Sequence, residues 1–341
     1  MRKSTPDLLK GIAVMMMVQV HLAELFATES FTAGFWGKMS LFYGGPPAAP
    51  VFMIVMGYFA MLSDRDFGTL ILRGVKLILL GLILNIMLNA HALIRIFFGT
   101  LELDPLKFIF GADILPLAGL SIIIIALLRL TFGKNPLPFL VLLIITLIMP
   151  FFNPLFLTEG RASYGMAFIA GNYSWSYFPL FPWLAYPLSG CLLSVFERAP
   201  RVKTLFEKHW IWILVISLSL VLTTAWFAVP QIVSLPLYYH HNVLLFLWII
   251  LFIFIWYSLF HKLNSGSPRA WPLVYLQWVG KNVTAFYVFQ WIIIGNLATW
   301  LYHTQRSWHL ILWFVSITGV VSLLVLGWNR YRQFRKKDVI L

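Results

Sequence analysis

Cysteine is nearly absent: Cys191 is the one cysteine in 341 residues, which excludes an intramolecular disulfide framework. Charge is scarce as well. Charged residues make up 11% of the chain, where a soluble domain carries about 25%. Acidic residues are the scarcest class, with 12 Asp and Glu against 25 Lys and Arg and a formal net charge of +13. The sequence has no Gly-rich phosphate loop, no dinucleotide fingerprint and no paired metal motif. It also has no soluble domain of any size and no usable internal repeat. A basic excess in a soluble protein points towards nucleic acid. Here the cations flank apolar runs, so they read as orientation signals and no nucleic-acid partner is expected.

Long apolar runs fill the space these absences leave. Hydrophobic residues are 60% of the chain and the mean hydropathy is +0.85. Crossing a bilayer takes about 20 residues per helix. Runs near that length fall at 7–28, 48–63, 69–90, 113–131, 137–153, 179–196, 210–229, 241–261, 279–301 and 307–328. The expected fold is all-α: a polytopic transmembrane bundle of about ten helices, forming a single domain over 1–341 with a basic tail at 330–341. Arg2 and Lys3 before the first run resemble the start of a signal peptide. No small-residue cleavage site follows, and the run contains Gln19 and His21, so it reads as a retained helix. With ten alternating spans, five basic residues (Lys38, Arg95, Lys107, Arg161 and Arg306) fall on one side and the other twenty on the opposite side. This asymmetry predicts both termini in the cytoplasm. The larger outer loops are then 29–47, 91–112, 154–178 and 230–240, all rich in aromatics, Gly and Pro. The basic tail reads as a cytoplasmic anchor that can also meet anionic membrane lipid.

Polar groups within membrane spans are costly, so each needs an explanation. The first span places Asp7, Lys10, Val14, Met17 and His21 within roughly 80° of one another on a helix, with Glu24 just beyond. His21 lies about 21 Å along the axis from Asp7. The simplest roles are a helix-start charge for Asp7, an orientation signal for Lys10 and a hydrogen-bonded buried imidazole for His21. The chemical alternative for His21 is a general base or nucleophile, since imidazole both takes and returns a proton near neutral pH. Asp113, at the start of the fourth span, is either a helix cap or a ligand for an acceptor. Tyr238 and Tyr239 fit an aromatic belt. The neighbouring His240 and His241 do not share a helix face, so no metal site is expected.

The spacing of Asp7, Lys10-Gly11 and His21 resembles the opening motif of two groups of membrane acyltransferases, the acyltransferase 3 family and the heparan-alpha-glucosaminide N-acetyltransferase family. The position of Lys10 is usually Arg there, and Lys lacks the guanidinium fork. Other segments resemble these families in order. Ala48 to Leu62 is similar to their second helix, followed by the basic pair Arg73 and Lys76. Gly111 to Leu128 is similar to their fourth helix. Phe178 to Ser194, with Trp183, looks most like the N-acetyltransferase branch. Trp278 to Ile293 is similar to the late helix, with Gln290 where a His is typical.

This resemblance implies an integral membrane acyltransferase; the compact chain, with no targeting domain in view, makes a bacterial inner membrane the expected setting. An acyl group, acetyl first of all, would pass from cytoplasmic acetyl-CoA or another acyl-CoA to a hydroxyl or amine of a carbohydrate or glycoconjugate on the far side. His21 would act as general base or transient acyl carrier, with Asp7 fixing its cationic neighbour. Lys10, Arg73 and Lys76 would hold the CoA phosphates, and Asp113, Gln290 and Trp183 would meet the acceptor. The rival readings are a transporter and an acyltransferase scaffold without chemistry.

Overall fold

The computed structural model describes residues 4–265 and 270–338. Arg2, Lys3 and Arg269 of the orientation count lie outside them, as do residues 339–341 of the basic tail. Among the described residues the regular structure is helical, with two isolated β-bridges and no strand. The ten principal helices are α1 (Ser4–Leu25), α2 (Ala49–Leu62), α3 (Phe67–Leu88), α4 (Ile114–Phe132), α5 (Pro136–Ile148), α6 (Ala185–Phe196), α7 (Pro200–Thr223), α8 (Val243–Ser265), α9 (Val283–Leu301) and α10 (Ser307–Asp338). In hydrocarbon every backbone N–H and C=O must be satisfied internally, so apolar runs become helices. Their starts are set by side chains. The Asp66 carboxylate accepts from the Thr69 N–H at 2.9 Å and begins α3. Asn135 accepts from the Leu137 N–H at 3.0 Å and begins α5. The Thr69 hydroxyl and N–H hold the exposed Asp66 carboxyl below its ordinary range.

Nine helices among the described residues are long and apolar enough to cross a membrane, and Leu180–Phe196 is a shorter tenth. That segment is interrupted at Phe181 (φ −104°, ψ 118°) and resumes in α6, because Pro182 and Pro187 supply no N–H to a continuous helix. Several expected boundaries differ. The run at 279–301 is two helices, Trp271–Lys281 and α9, parted at Asn282, whose side chain donates to the Trp278 carbonyl at 2.9 Å. The run at 210–229 starts earlier, at Pro200, and breaks at Thr224. The expected outer loops hold short helices, among them Phe35–Gly44 before α2, Ala90–Phe97, Pro105–Ile109 and Leu235–Tyr239, and the 154–178 loop is mostly irregular.

Hydrogen bonds sort the helix ends onto two faces. Thr5 meets His261 at 3.3 Å, Tyr58 donates to Glu197 at 2.7 Å, and Arg129 donates to the carbonyls of Ala60 and Ser63 at 2.8 and 2.7 Å. These contacts define an N-terminal face. On the distal face Asn85 donates to Gly111 at 2.8 Å, the Trp183 indole donates to Tyr239 at 2.7 Å, and Asn296 accepts from the His91 N–H at 3.0 Å. The start of α1 and the end of α10 lie on the same face.

α1 sits at the centre, with 67% of its apolar window buried, whereas α7 is peripheral at 11%. Lipid offers no hydrophobic drive between helices, so close packing falls to small residues. A methyl on Gly11 would land on the Leu276 carbonyl, and one on Gly280 would land on the Asp7 carbonyl. These two glycines let α1 and Trp271–Lys281 pack backbone to backbone. Gly57 and Gly190 do the same for α2 and α6. Val14, Val18 and Leu22 of α1, with Phe26 just past its end, then pack with Phe286 and Ile294 of α9 and Ile317 of α10.

Candidate active site

The two ends of the α1 stripe have different environments. At the N-terminal face Lys10 Nζ pairs with Asp7 Oδ1 at 2.8 Å, and the Asp7 side chain is only 3% exposed. A carboxylate this deep needs a cation, and Lys10 is one turn away to supply it. Arg73 and Lys76 lie exposed on α3, which packs chiefly against α4. The three expected donor-binding cations therefore share a face of the bundle, but Lys10 already has a carboxylate partner.

His21 lies at the other end of α1, where the backbone is clamped. The His303 N–H donates to the Leu25 carbonyl at 3.1 Å, the Gln305 N–H donates to Phe26 at 2.7 Å, and the Thr28 N–H donates to Gln305 at 3.0 Å. Gln19 is satisfied by Ser40, donating to its carbonyl at 2.9 Å. The His21 ring lies on the Trp291 indole, with centroids 3.8 Å apart and planes 31° apart. Gln290 is wholly buried with its amide beside the imidazole. The contact is not a well-formed hydrogen bond, since both amide atoms and His21 Nδ1 lack a partner of good geometry.

His21 opens onto a cavity of about 380 Å³ on the distal side of the bundle, which is also walled by Glu24, Asp113, Tyr239, Tyr287 and Trp291. Asp113 caps a helix, as one of its expected alternatives has it, and also faces the cavity. One oxygen accepts from the Ile114 N–H at 2.7 Å and caps α4. The other accepts from the Tyr287 hydroxyl of α9 at 2.6 Å, inside the cavity. Asn85 of α3 fixes the approach to Asp113 by donating to the carbonyls of Ile109 and Gly111, at 3.1 and 2.8 Å. Lys107 also reaches the cavity, its ammonium 5.0 Å from the centroid of the Trp175 ring.

Trp183, expected to meet the acceptor, does not line this cavity. It is fully buried behind the wall, where its indole donates to the Tyr239 carbonyl and stacks edge-on against Phe178. It supports the Tyr238–Tyr239 turn, which does face the cavity. His241 is likewise absorbed by packing, between the Tyr186 hydroxyl at 3.0 Å and the Tyr238 carbonyl at 2.9 Å. Among the described residues no group of three or more His, Cys, Asp or Glu could hold a metal ion. Cys191 is buried, with its thiol donating to the Gly57 carbonyl at 3.3 Å.

The cavity thus holds one imidazole, two carboxylates and several phenols, in a site enclosed by aromatic rings. That set can accept a proton and orient hydroxyl groups. The sequence pattern had not singled out Tyr287, Trp291 or Glu24 for this site. The signal for Glu24 was its position one turn beyond His21. For Tyr287 and Trp291 it was their i, i+4 spacing around Gln290.

Comparison with known proteins gives one family-level match. A family model described as an acyltransferase domain, of the acyltransferase 3 type, matches residues 4–328. No curated protein and no solved structure matches the chain.

Proposed function

The chain belongs to the acyltransferase 3 family and is an integral membrane acyltransferase; from that premise we propose that it moves an acyl group from cytoplasmic acyl-CoA, acetyl-CoA in the first instance, to a carbohydrate or glycoconjugate on the distal side of the membrane. A bacterial inner membrane is the setting we assign, with the N-terminal face in the cytoplasm. The excess of basic residues on that face supports this orientation.

One observation carries the reading: His21, on the central helix, faces a cavity walled by carboxylates and phenols. In the proposed step the imidazole takes the proton of an acceptor hydroxyl or amine. The freed lone pair attacks the thioester carbonyl and forms the new C–O or C–N bond. The C–S bond breaks, and coenzyme A leaves as a thiol with the proton that His21 returns. The alternative order passes the acyl group through the imidazole itself. Gln290, beside the ring, orients it, and Asp113 with Tyr287 meets the acceptor.

Lys10 lies eleven residues before His21, about 17 Å along the axis, a span suited to an extended pantetheine arm. Arg73 and Lys76 are the exposed cations for the CoA phosphates. Asp7 is too far from His21 to act on the imidazole and serves to hold Lys10.

The test is transfer of radiolabelled acetyl from acetyl-CoA in membrane vesicles containing the natural acceptor. His21→Ala is expected to lower transfer by about 10²- to 10⁴-fold, while the purified variant still binds acetyl-CoA. Full transfer by His21→Ala would remove His21 from the mechanism. Failure of folded wild-type protein to bind any acyl-CoA would remove the donor assignment.

A further inference from the structure

We propose that the furrow between α3 and α4, on the distal half of the bundle, is a binding site for one anionic phospholipid, with an acyl chain in the furrow and the phosphodiester on Arg161.

The furrow follows from small residues. A methyl on Gly81 would land on the Pro116 ring, and one on Gly74 would land on the Gly119 carbonyl, so the two helices close together along this seam. Larger side chains beside the seam form its banks, Ile78 and Leu82 on α3 and Leu120 on α4. Leu106 and Phe110 wall its distal end. The space is about 560 Å³, and Arg161 and Tyr164 are the polar side chains that line it. It faces lipid, since the neighbouring Leu79 and Ile83 of α3 are 52% and 53% exposed. Ile78 lies ten residues before the end of α3 at Leu88, about 15 Å along the axis. That is half of a ~30 Å hydrocarbon core, the depth of one leaflet.

Arg161 supplies the charge. It is exposed and makes no hydrogen bond or ion pair with a described residue. The carboxylates around it do not neutralise it. Asp104 accepts from the Leu106 N–H at 2.9 Å and from the Tyr164 hydroxyl. Glu159, two residues before Arg161, is exposed and makes no ion pair with it. A free guanidinium above an apolar slot one leaflet deep matches a phosphodiester joined to an acyl chain. Free phosphate would leave the furrow empty, and a zwitterionic headgroup would bring its own cation up to Arg161. The bound lipid would also brace the reaction cavity. Tyr164 holds Asp104 at the start of Pro105–Ile109, and Leu106 and Phe110 there face the furrow. Lys107 and Phe108, from the same segment, line the cavity of His21.

The test uses the full-length protein in mild detergent, given phosphatidylglycerol or phosphatidylcholine with the same acyl chains. Native mass spectrometry counts bound lipid, and the thermal unfolding midpoint is followed in parallel. The wild type is expected to keep one phosphatidylglycerol under conditions that strip phosphatidylcholine, and to unfold at a higher temperature with it. Arg161→Gln should bind phosphatidylglycerol about fivefold more weakly and lose the gain in midpoint, while unfolding like the wild type without lipid. Arg306→Gln removes a cation elsewhere on the distal side and should change neither readout. Leu82→Trp fills the furrow and should lower binding of both lipids; if it does not fold, the Arg161→Gln result decides. Equal retention of the two lipids by the wild type, or unchanged binding in Arg161→Gln, would overturn the site. An equal loss in Arg306→Gln would overturn it too, by showing a diffuse response to charge. Saturable binding of inorganic phosphate at Arg161 without lipid retention would assign the guanidinium to a free anion instead. Lipid binding and stability are the readouts, so failure here leaves the acyl-transfer reading standing.

Discussion

Tyr287 holds one of the two cavity carboxylates in place. Its hydroxyl donates to Asp113 at 2.6 Å, while the Ile114 N–H takes the other carboxylate oxygen. Tyr287→Phe removes the phenol and leaves that oxygen to cavity water. The expected cost is about 1.5 kcal/mol of stability, the low end for a bond to a charged group, because water can take the hydroxyl's place. A lower thermal unfolding midpoint in detergent would show it, and an unchanged midpoint would mean that the bond contributes nothing net. Residues of this kind differ in how openly the sequence shows them. His21 was visible because an imidazole inside an apolar run is costly enough to need a reason. Tyr287 was not, because an aromatic residue in a membrane helix is equally at home against lipid. Trp183 misled in the opposite sense. Its Pro-Trp context suggested a ligand contact, but the indole N–H is used up on the Tyr239 carbonyl behind the wall.

Among the elements, the join between α1 and Trp271–Lys281 is the most demanding. Gly280 has the Asp7 carbonyl where a Cβ would go, whereas Gly319 on α10 has open space around it. Gly280→Val should therefore push the two backbones apart and cost about 3 kcal/mol, at the upper end for overpacking, and Gly319→Val should be close to neutral. Yield of monodisperse protein and the unfolding midpoint compare the two directly; equal behaviour would refute the close-packing argument. Hydropathy located nearly all of these elements, because an apolar run of about 20 residues has few alternatives to a membrane helix. It missed the break at Asn282, which depends on one side chain bonding the carbonyl four residues back. It also read the interface segments as loops, since eight-residue helices such as Ala90–Phe97 are too short to register as spans.

On the scale of the whole molecule the count of basic residues assigns most of them to one face, and this makes the orientation testable. Cys191 is buried, so the native protein should be silent to a membrane-impermeant maleimide. In intact cells Arg161→Cys, on the distal face, should be labelled and Arg65→Cys, on the N-terminal face, protected until the membrane is opened. The reverse pattern would invert the donor and acceptor sides proposed above. The sequence alone determined that the chain is a bundle of membrane helices, and that α1 carries an imidazole towards one end and a carboxylate and an ammonium towards the other. These are properties of single runs, set by hydropathy and the 100° helical step. Only the tertiary structure decided which groups surround His21. Asp113 and Tyr287 are 174 residues apart in the chain, and the clamp beside Glu24 comes from His303 and Gln305. Such neighbours follow from which helices have room to approach, through small residues and complementary side-chain shapes, and no local run of sequence carries that information.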